Sequence, residues 1–160
     1  MSDDLPDLIA LFADPRVGAT LGGQRSPDES EAVLRRWRTQ WKDRGFGPWV
    51  FRETVSASGS GSGSFVGYAG LAPADAVEPG SVELLYAVRP ALWRQGYASE
   101  MGHWVLHVAP RPPGCETVVA YTLPSNAGSR RVLEKLAFAS AGTITHTGLP
   151  HLLFREEVSR

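Results

Sequence analysis

The sequence predicts an α+β fold, one domain over residues 1–160 built on a mixed, partly parallel sheet. Three observations predict it. A helix-period segment with signals at both ends, "SPDESEAVLRRWRTQWKDRG", precedes a series of strand-period runs. Two of those runs, "VELLYAV" (82–88) and "ETVVAYT" (116–122), are joined through a helix, the connection that makes neighbouring strands parallel. The chain then closes on "ASAGTIT" and "HLLFREE", which face each other across "HTGLP" as a hairpin. With 160 residues, 42% of them hydrophobic and 21% charged, the chain is globular in composition and long enough to bury a core.

Taken in order, "DLPDLIALFADPRV" reads as a short helix around Leu5 to Phe12 that breaks near Asp14-Pro15. The next helix is better marked. Ser26 and Glu29 form a capping-box pattern, Pro27 takes the first helical position, and Gly45 follows the end. Val33, Leu34, Trp37 and Trp41 share one face and are expected in the core, while Arg35, Arg36 and Arg38 point elsewhere. "PWVFRETV" (48–55) and "FVGYAGLA" (65–72) read as paired strands joined by "SASGSGSGS", a loop and not a linker, because neither flank could bury a core alone. In "VELLYAV", Val82, Leu84, Tyr86 and Val88 lie on one face and Glu83, Leu85 and Ala87 on the other. A helix from about Tyr97 to Val108 follows. "SNAGSRRVLEKLAF" is a further helix, its start carrying Ser125 and Asn126.

Charge and composition exclude several classes. A net charge of −1 provides no general basic field for nucleic acid. No apolar run reaches membrane-spanning length, and the acidic start "MSDDLPDL" is unlike a signal peptide. The one cysteine, Cys115, excludes an internal disulfide and suits a reducing compartment, so a cytoplasmic location is expected. His103 and His107 stand at i, i+4, but no Glu follows His103 and no third ligand presents itself, so no metal is expected.

The segment between strand and helix, "LWRQGYASE" (92–100), carries the chemistry. A helix start presents unpaired N–H groups and partial positive charge, which bind anions, phosphates above all. Together with "TLPSNAGSRRVLEKLAF", and in this order, "VELLYAVRPALWRQGYASE" resembles the GNAT acetyltransferases, specifically the RimJ/RimL-like branch. The resemblance covers nearly the whole chain. It implies a central, mostly antiparallel sheet, splayed at a cofactor cleft and flanked by helices, with acetyl-CoA as donor. Gln95, Gly96, Tyr97, Ala98 and Ser99 would offer N–H groups to the pyrophosphate, Arg94 a charge-assisted contact, and Tyr86, Ala87 and Val88 strand-like bonds to the pantetheine arm. Departures are a missing first strand, Trp93 where the wider superfamily prefers Gln or Arg, Arg94 where the branch often has Gly, and Ala137 for a helix-ending Gly. The absent strand leaves 48–55 as an edge, to be covered by the N-terminal segment or by a second copy in a homodimer.

Acetyl transfer to an amine requires a base, a donor for the carbonyl oxygen and a proton for the departing thiolate. The resemblance implies the N–H near Val88 as that donor, Ser129 as the hydroxyl serving the sulfur and Asn126 as a coenzyme contact; a plain N-cap is the other reading of Asn126. Glu83 is the candidate base, with a salt-bridged edge carboxylate as its alternative. His146 and His151, flanking "HTGLP", are further candidates for a proton relay. The expected acceptor is an amine, either a protein N-terminus or a small molecule. The competing function is a non-catalytic coenzyme-A-binding module of the same fold.

Overall fold

The computed structural model describes residues 4–54, 63–115 and 117–157. In chain order these form α1 (Leu5–Ala13), α2 (Pro15–Leu21), α3 (Pro27–Arg44), β1 (Pro48–Arg52), β2 (Phe65–Pro73), β3 (Val82–Val88), a short 3-10 turn (Pro90–Leu92), α4 (Tyr97–His107), β4 (Thr117–Thr122), α5 (Ala127–Lys135), β5 (Ala139–His146) and β6 (Leu149–Glu157). The six-stranded sheet has the order β1-β2-β3-β4-β6-β5. Only β3 and β4 run parallel; every other neighbouring pair is antiparallel. No helix among the described residues is long and apolar enough to cross a membrane.

The end signals of α3 act as expected. Ser26 Oγ accepts the Glu29 N–H at 3.2 Å, Glu29 Oε2 accepts the Ser26 N–H at 2.7 Å, and Gly45 closes the helix at φ 72°. Gln40 then ties α3 to the sheet by donating to the carbonyls of Phe46 (3.0 Å) and Leu71 (2.8 Å).

The Asp14-Pro15 break is a restart and not a loop, so α2 is an element the sequence reading missed. Asp14 accepts the Arg16 N–H at 2.9 Å and Pro15 occupies the first turn, so the pair that ends α1 also begins α2. Most of the expected Ser/Gly loop, together with Val55, lies outside the described residues. The last hairpin is tighter than expected: strand pairing continues through His146 and Leu149, and Thr147 and Gly148 alone turn the chain, at φ 49° and 78°.

Two cores flank the sheet. Val82, Leu84 and Val88 of β3 pack with Met101, Val105 and Leu106 of α4 and Leu133 of α5. Ala87, with Leu85 beside it, packs against Leu8, Phe12, Val33, Leu34 and Trp37 of α1 and α3. Burying a side chain the size of Leu84 or Phe12 is worth roughly 1.5–3 kcal/mol, so the alternation along β3 holds both layers in place. Gly102 lets α4 close on α5, because a Cβ there would sit 2.5 Å from a Leu136 methyl.

β3 and β4 pair only at Val82–Val118 and Glu83–Val119, and then part. Arg89 N–H donates to Val66 C=O at 2.9 Å, which sets the phase of the β2–β3 ladder. Glu83, Leu85 and Ala87 therefore turn their backbone groups to β2, and Tyr86 and Val88 turn theirs into the split. The Val88 carbonyl accepts from Trp93 Nε1 at 2.7 Å. That leaves the Val88 N–H and both backbone groups of Tyr86 facing a groove of about 1780 Å³ that passes between the strands.

The family's first strand is absent among the described residues, and β1 is a sheet edge. The N-terminal segment reaches it through Arg52, which pairs with Asp4 at 3.0 Å and Asp7 at 2.6 Å.

Ala137 ends α5 at φ 62°, in the left-handed region where a Cβ is strained. Its side chain is exposed, so glycine loses no packing there. Ala137→Gly should stabilise the fold by about 1 kcal/mol. Urea unfolding would show it as a higher midpoint at unchanged slope.

Candidate active site

The turn after β3 holds two departures from ordinary backbone, one residue apart. Arg94 sits at φ 63° and Gly96, the N-cap of α4, at φ 93°. The left-handed position explains a preference for glycine where Arg94 stands; the arginine bears a strain of about 1–2 kcal/mol. The N–H groups of Tyr97, Ala98 and Ser99 precede the first intrahelical bond, from Glu100 to Gly96 at 3.0 Å, and no side chain caps them. These three residues line the groove with Arg94 and Gly96. A Cβ on Gly96 would meet nothing within 4 Å, so the approach is open. Gln95 is different: it is absent from the lining, and its side chain donates to the Ala91 carbonyl at 3.1 Å. Tyr97 contributes backbone, since its hydroxyl donates away to Glu53 at 3.0 Å.

Across the split, the start of α5 faces β3. Asn126 Oδ1 accepts the Ser129 N–H at 3.0 Å, so the oxygen of Asn126 serves as N-cap. Ser129 Oγ lies 2.7 Å from the Tyr86 hydroxyl, a partner that sequence reading did not assign. Burial pushes the Tyr86 phenol up to about 12, with the Ser129 hydrogen bond working against it. Near neutral pH the pair thus retains its protons, two hydroxyls joined at the edge of the split.

The opposite face of β3 carries a second constellation. Burial pushes the Glu83 carboxyl up to about 7, opposed by the Tyr121 hydroxyl, which donates to Oε2 at 2.7 Å. No salt bridge involves Glu83 among the described residues, so the edge-pair alternative does not hold. Tyr121 in turn packs against His146 of β5 and His151 of β6, with ring centroids at 4.7 and 5.8 Å, and the two imidazoles lie 5.4 Å from each other. Burial first, and His151 second, hold the His146 pKa below its usual value. His151 Nδ1 lies 3.0 Å from the Leu149 carbonyl, which can only accept, so Nδ1 carries the proton. Tyr121 was missed because it enters the site through register: it stands two residues beyond Val119, which Glu83 faces across the parallel pair.

Elsewhere the candidates disperse. His103 and His107 lie 4.4 Å apart, tilted by 51°, on an exposed helix face, and the described residues gather no group of three or more His, Cys, Asp or Glu fit for a metal. Burial raises the Cys115 thiol, the direction opposite to activation.

The acetyltransferase (GNAT) domain family matches residues 1–139. A curated relative, the FsC-acetyl coenzyme A-N(2)-transacetylase of Aspergillus fumigatus, is 32% identical over 134 residues, 78% of this chain. The match covers 54% of that protein, so the chain spans about half its length. Among solved structures, the ribosomal-protein-alanine N-acetyltransferase from Brucella melitensis superposes with a TM-score of 0.75 at 21% identity, over 99% of this chain and 96% of that one. An aminoglycoside acetyltransferase in complex with coenzyme A superposes at 0.77 and 15% identity, over 98% and 91%. These two likenesses concern the fold. With the family matched over most of its length, and the split sheet and uncapped helix of that fold in place, the chain belongs to the GNAT acetyltransferase family.

Proposed function

We propose that the protein is an acetyl-CoA-dependent N-acetyltransferase of the RimJ/RimL-like branch, moving an acetyl group directly to a primary amine of a protein N-terminus or a small molecule. One observation carries the reading. β3 presents Glu83, its carboxyl raised to about 7, on one face, and Tyr86, joined to Ser129 at 2.7 Å, on the other, with the split running beside both. A base and a proton donor on opposite sides of one opening are what direct transfer needs.

Acetyl-CoA supplies an acyl group activated as a thioester. The residues fit it: the uncapped N–H groups of Tyr97, Ala98 and Ser99 would hold the pyrophosphate, and the free Tyr86 backbone groups would hold the pantetheine amides. Arg94 would add charge at the mouth. The Val88 N–H, aimed into the split, would stabilise negative charge gathering on the acyl oxygen. Glu83 would accept a proton from the amine, directly or through Tyr121, and the Ser129–Tyr86 pair would give hydrogen bonds to the departing sulfur. The open edge of β1 is available to a second copy of the chain, which sedimentation at rising concentration would reveal.

Coenzyme A should raise the melting temperature, and Gly96→Val should remove most of that rise. A valine at φ 93° would distort the turn that presents the N–H groups. An unchanged shift in the variant would place the ligand elsewhere.

Free-thiol release across a panel of amines and N-terminal peptides tests turnover. Ser129→Ala should lower kcat roughly ten- to a hundredfold, about 1.4–2.8 kcal/mol, with little change in coenzyme affinity. Because the two hydroxyls share one hydrogen bond, Tyr86→Phe should add less than its full effect on top of Ser129→Ala. Full turnover in the double variant would leave protonation of the thiolate to water.

Glu83→Gln should flatten the rise of rate with pH through about 7. Stability checks the same group independently. With a folded pKa of about 7 against 4.5 for the free side chain, the native state binds more protons in that window, so wild-type stability falls as pH rises across it. The glutamine variant should lack this fall. Equal pH slopes for both proteins would show that Glu83 is not the buried titrating group.

A further inference from the structure

The far rim of the groove carries cations that no carboxylate holds in a close ion pair. Arg25 stands half-buried in the turn between α2 and α3. Its N–H donates to the Phe12 carbonyl at 3.1 Å, and the neighbouring Gln24 side chain donates to the Ala13 carbonyl at 2.6 Å, so the turn is tied to α1. The guanidinium lies 4.5 Å from the Phe12 ring centroid. It flanks the buried Tyr68 phenol, on which Arg36 and Glu83 also act. Among the described residues four other arginines are ion-paired, Arg16 with Asp14, Arg35 with Glu31, Arg52 with Asp4 and Asp7, and Arg155 with Glu78. Arg25 and Arg36 form no ion pair within 4.0 Å among the described residues. Glu29, one turn on, feels the Arg25 charge but is held at 2.7 Å by the N–H of Ser26.

This rim belongs to the side of the sheet that holds Glu83. Arg25, Arg36, Tyr68, Glu83 and His146 line the one groove. The β5–β6 turn closes over it: a Leu149 methyl lies 4.0 Å from the position of a Cβ on Gly22, at the end of α2. The compartment thus has a carboxylate at its inner end and guanidinium groups without an ion pair at its outer end. Arg25 is half-buried beside the Phe12 ring and the Tyr68 phenol but has no ion pair, and the planar fork of a guanidinium matches a carboxylate or phosphate.

We propose that this compartment selects acceptors bearing an anionic group, a carboxylate or a phosphate, beside the transferable amine, with Arg25 as the specificity-determining residue and Arg36 in support. The inference rests on the acetyltransferase reading. Amine and anion would lie at opposite ends, the ammonium toward Glu83 and the anion toward Arg25. A neutral acceptor would leave the arginines unpaired, and a polycationic one would meet like charge.

The test uses the full chain, acetyl-CoA and matched acceptors: glycine, β-alanine and 4-aminobutyrate against their amides, and O-phosphoethanolamine against ethanolamine. Each anionic member should exceed its neutral partner in kcat/KM by roughly ten- to a hundredfold, mainly through KM. The carboxylate and phosphate arms show which anion is taken. Arg25→Gln should bring the ratio close to one, and Arg25→Lys should keep part of it. Comparing ratios between proteins cancels the differing basicity of the amines. A wild-type ratio near one, or one unchanged in Arg25→Gln, overturns the proposal. The coenzyme-induced rise in melting temperature, measured on each protein, separates the readings, since its absence in wild type sinks the acetyltransferase assignment instead. If Arg25→Gln fails to fold, Arg36→Gln takes its place, with a smaller loss of ratio expected and none overturning the idea. Should no acceptor turn over, calorimetry of the same pairs on coenzyme-A-saturated protein decides: tighter binding of the anionic member supports the proposal, and equal affinity overturns it.

Discussion

The parallel contact between β3 and β4 extends over two residue pairs, Val82–Val118 and Glu83–Val119, and this short contact makes the site possible. A buried backbone group without a partner is costly, so a sheet that opens in its interior must offer the freed groups to something else. Here the Val88 carbonyl is satisfied by the Trp93 indole, while Tyr86 and the Val88 N–H face the groove. On their outer sides β3 pairs with β2 and β4 with β6 along their full lengths, above the point of parting as well as below it. The opening is therefore built on rigid elements, and loops enter only at its rim.

Because side chains alternate along β3, one strand supplies both sides of the opening with different chemistry. Glu83 and Tyr86 are three residues apart and so point to opposite faces. Desolvation raises both pKa values, with opposite consequences. It brings a carboxyl into the neutral range, where it can exchange protons, and it keeps a phenol protonated near neutral pH, with a hydrogen to donate. Each is then tuned by a single hydroxyl partner, Tyr121 for Glu83 and Ser129 for Tyr86.

Backbone strain is held at the ends of the two helices that flank the opening. Arg94 and Ala137 are non-glycine residues in the left-handed region, at φ 63° and 62°. Arg94 precedes the uncapped start of α4; Ala137 ends α5, whose first turn holds Ser129. The surrounding packing holds both, with Leu92, Leu136 and Phe138 buried in the core beside them. Backbone strain of this kind persists only where neighbouring contacts over-determine the chain.

Local signals determined much of this protein. The capping box of Ser26 and Glu29, the alternation of "VELLYAV" and the Gly96 turn are short-range features whose physics operates within a few residues, and each stands where the sequence places it. The family resemblance was legible for the same reason, since it rests on contiguous segments. The restart at Asp14-Pro15 was local too, but one aspartate both ends and caps a helix, and the composition of the pair reads only as a break. Tertiary structure alone decided the rest. Gln95 turned out of the groove because its amide found the Ala91 carbonyl, and Tyr121 turned in because parallel register set it beside Glu83. Ser129 met Tyr86 across 43 residues of chain, and Arg25 met Phe12 and Tyr68 on two other elements. Those partnerships depend on how far two strands run together before they part, and on which side of the sheet each helix lands. Both are set by the packing of the two cores, a property of the whole chain that no segment carries alone.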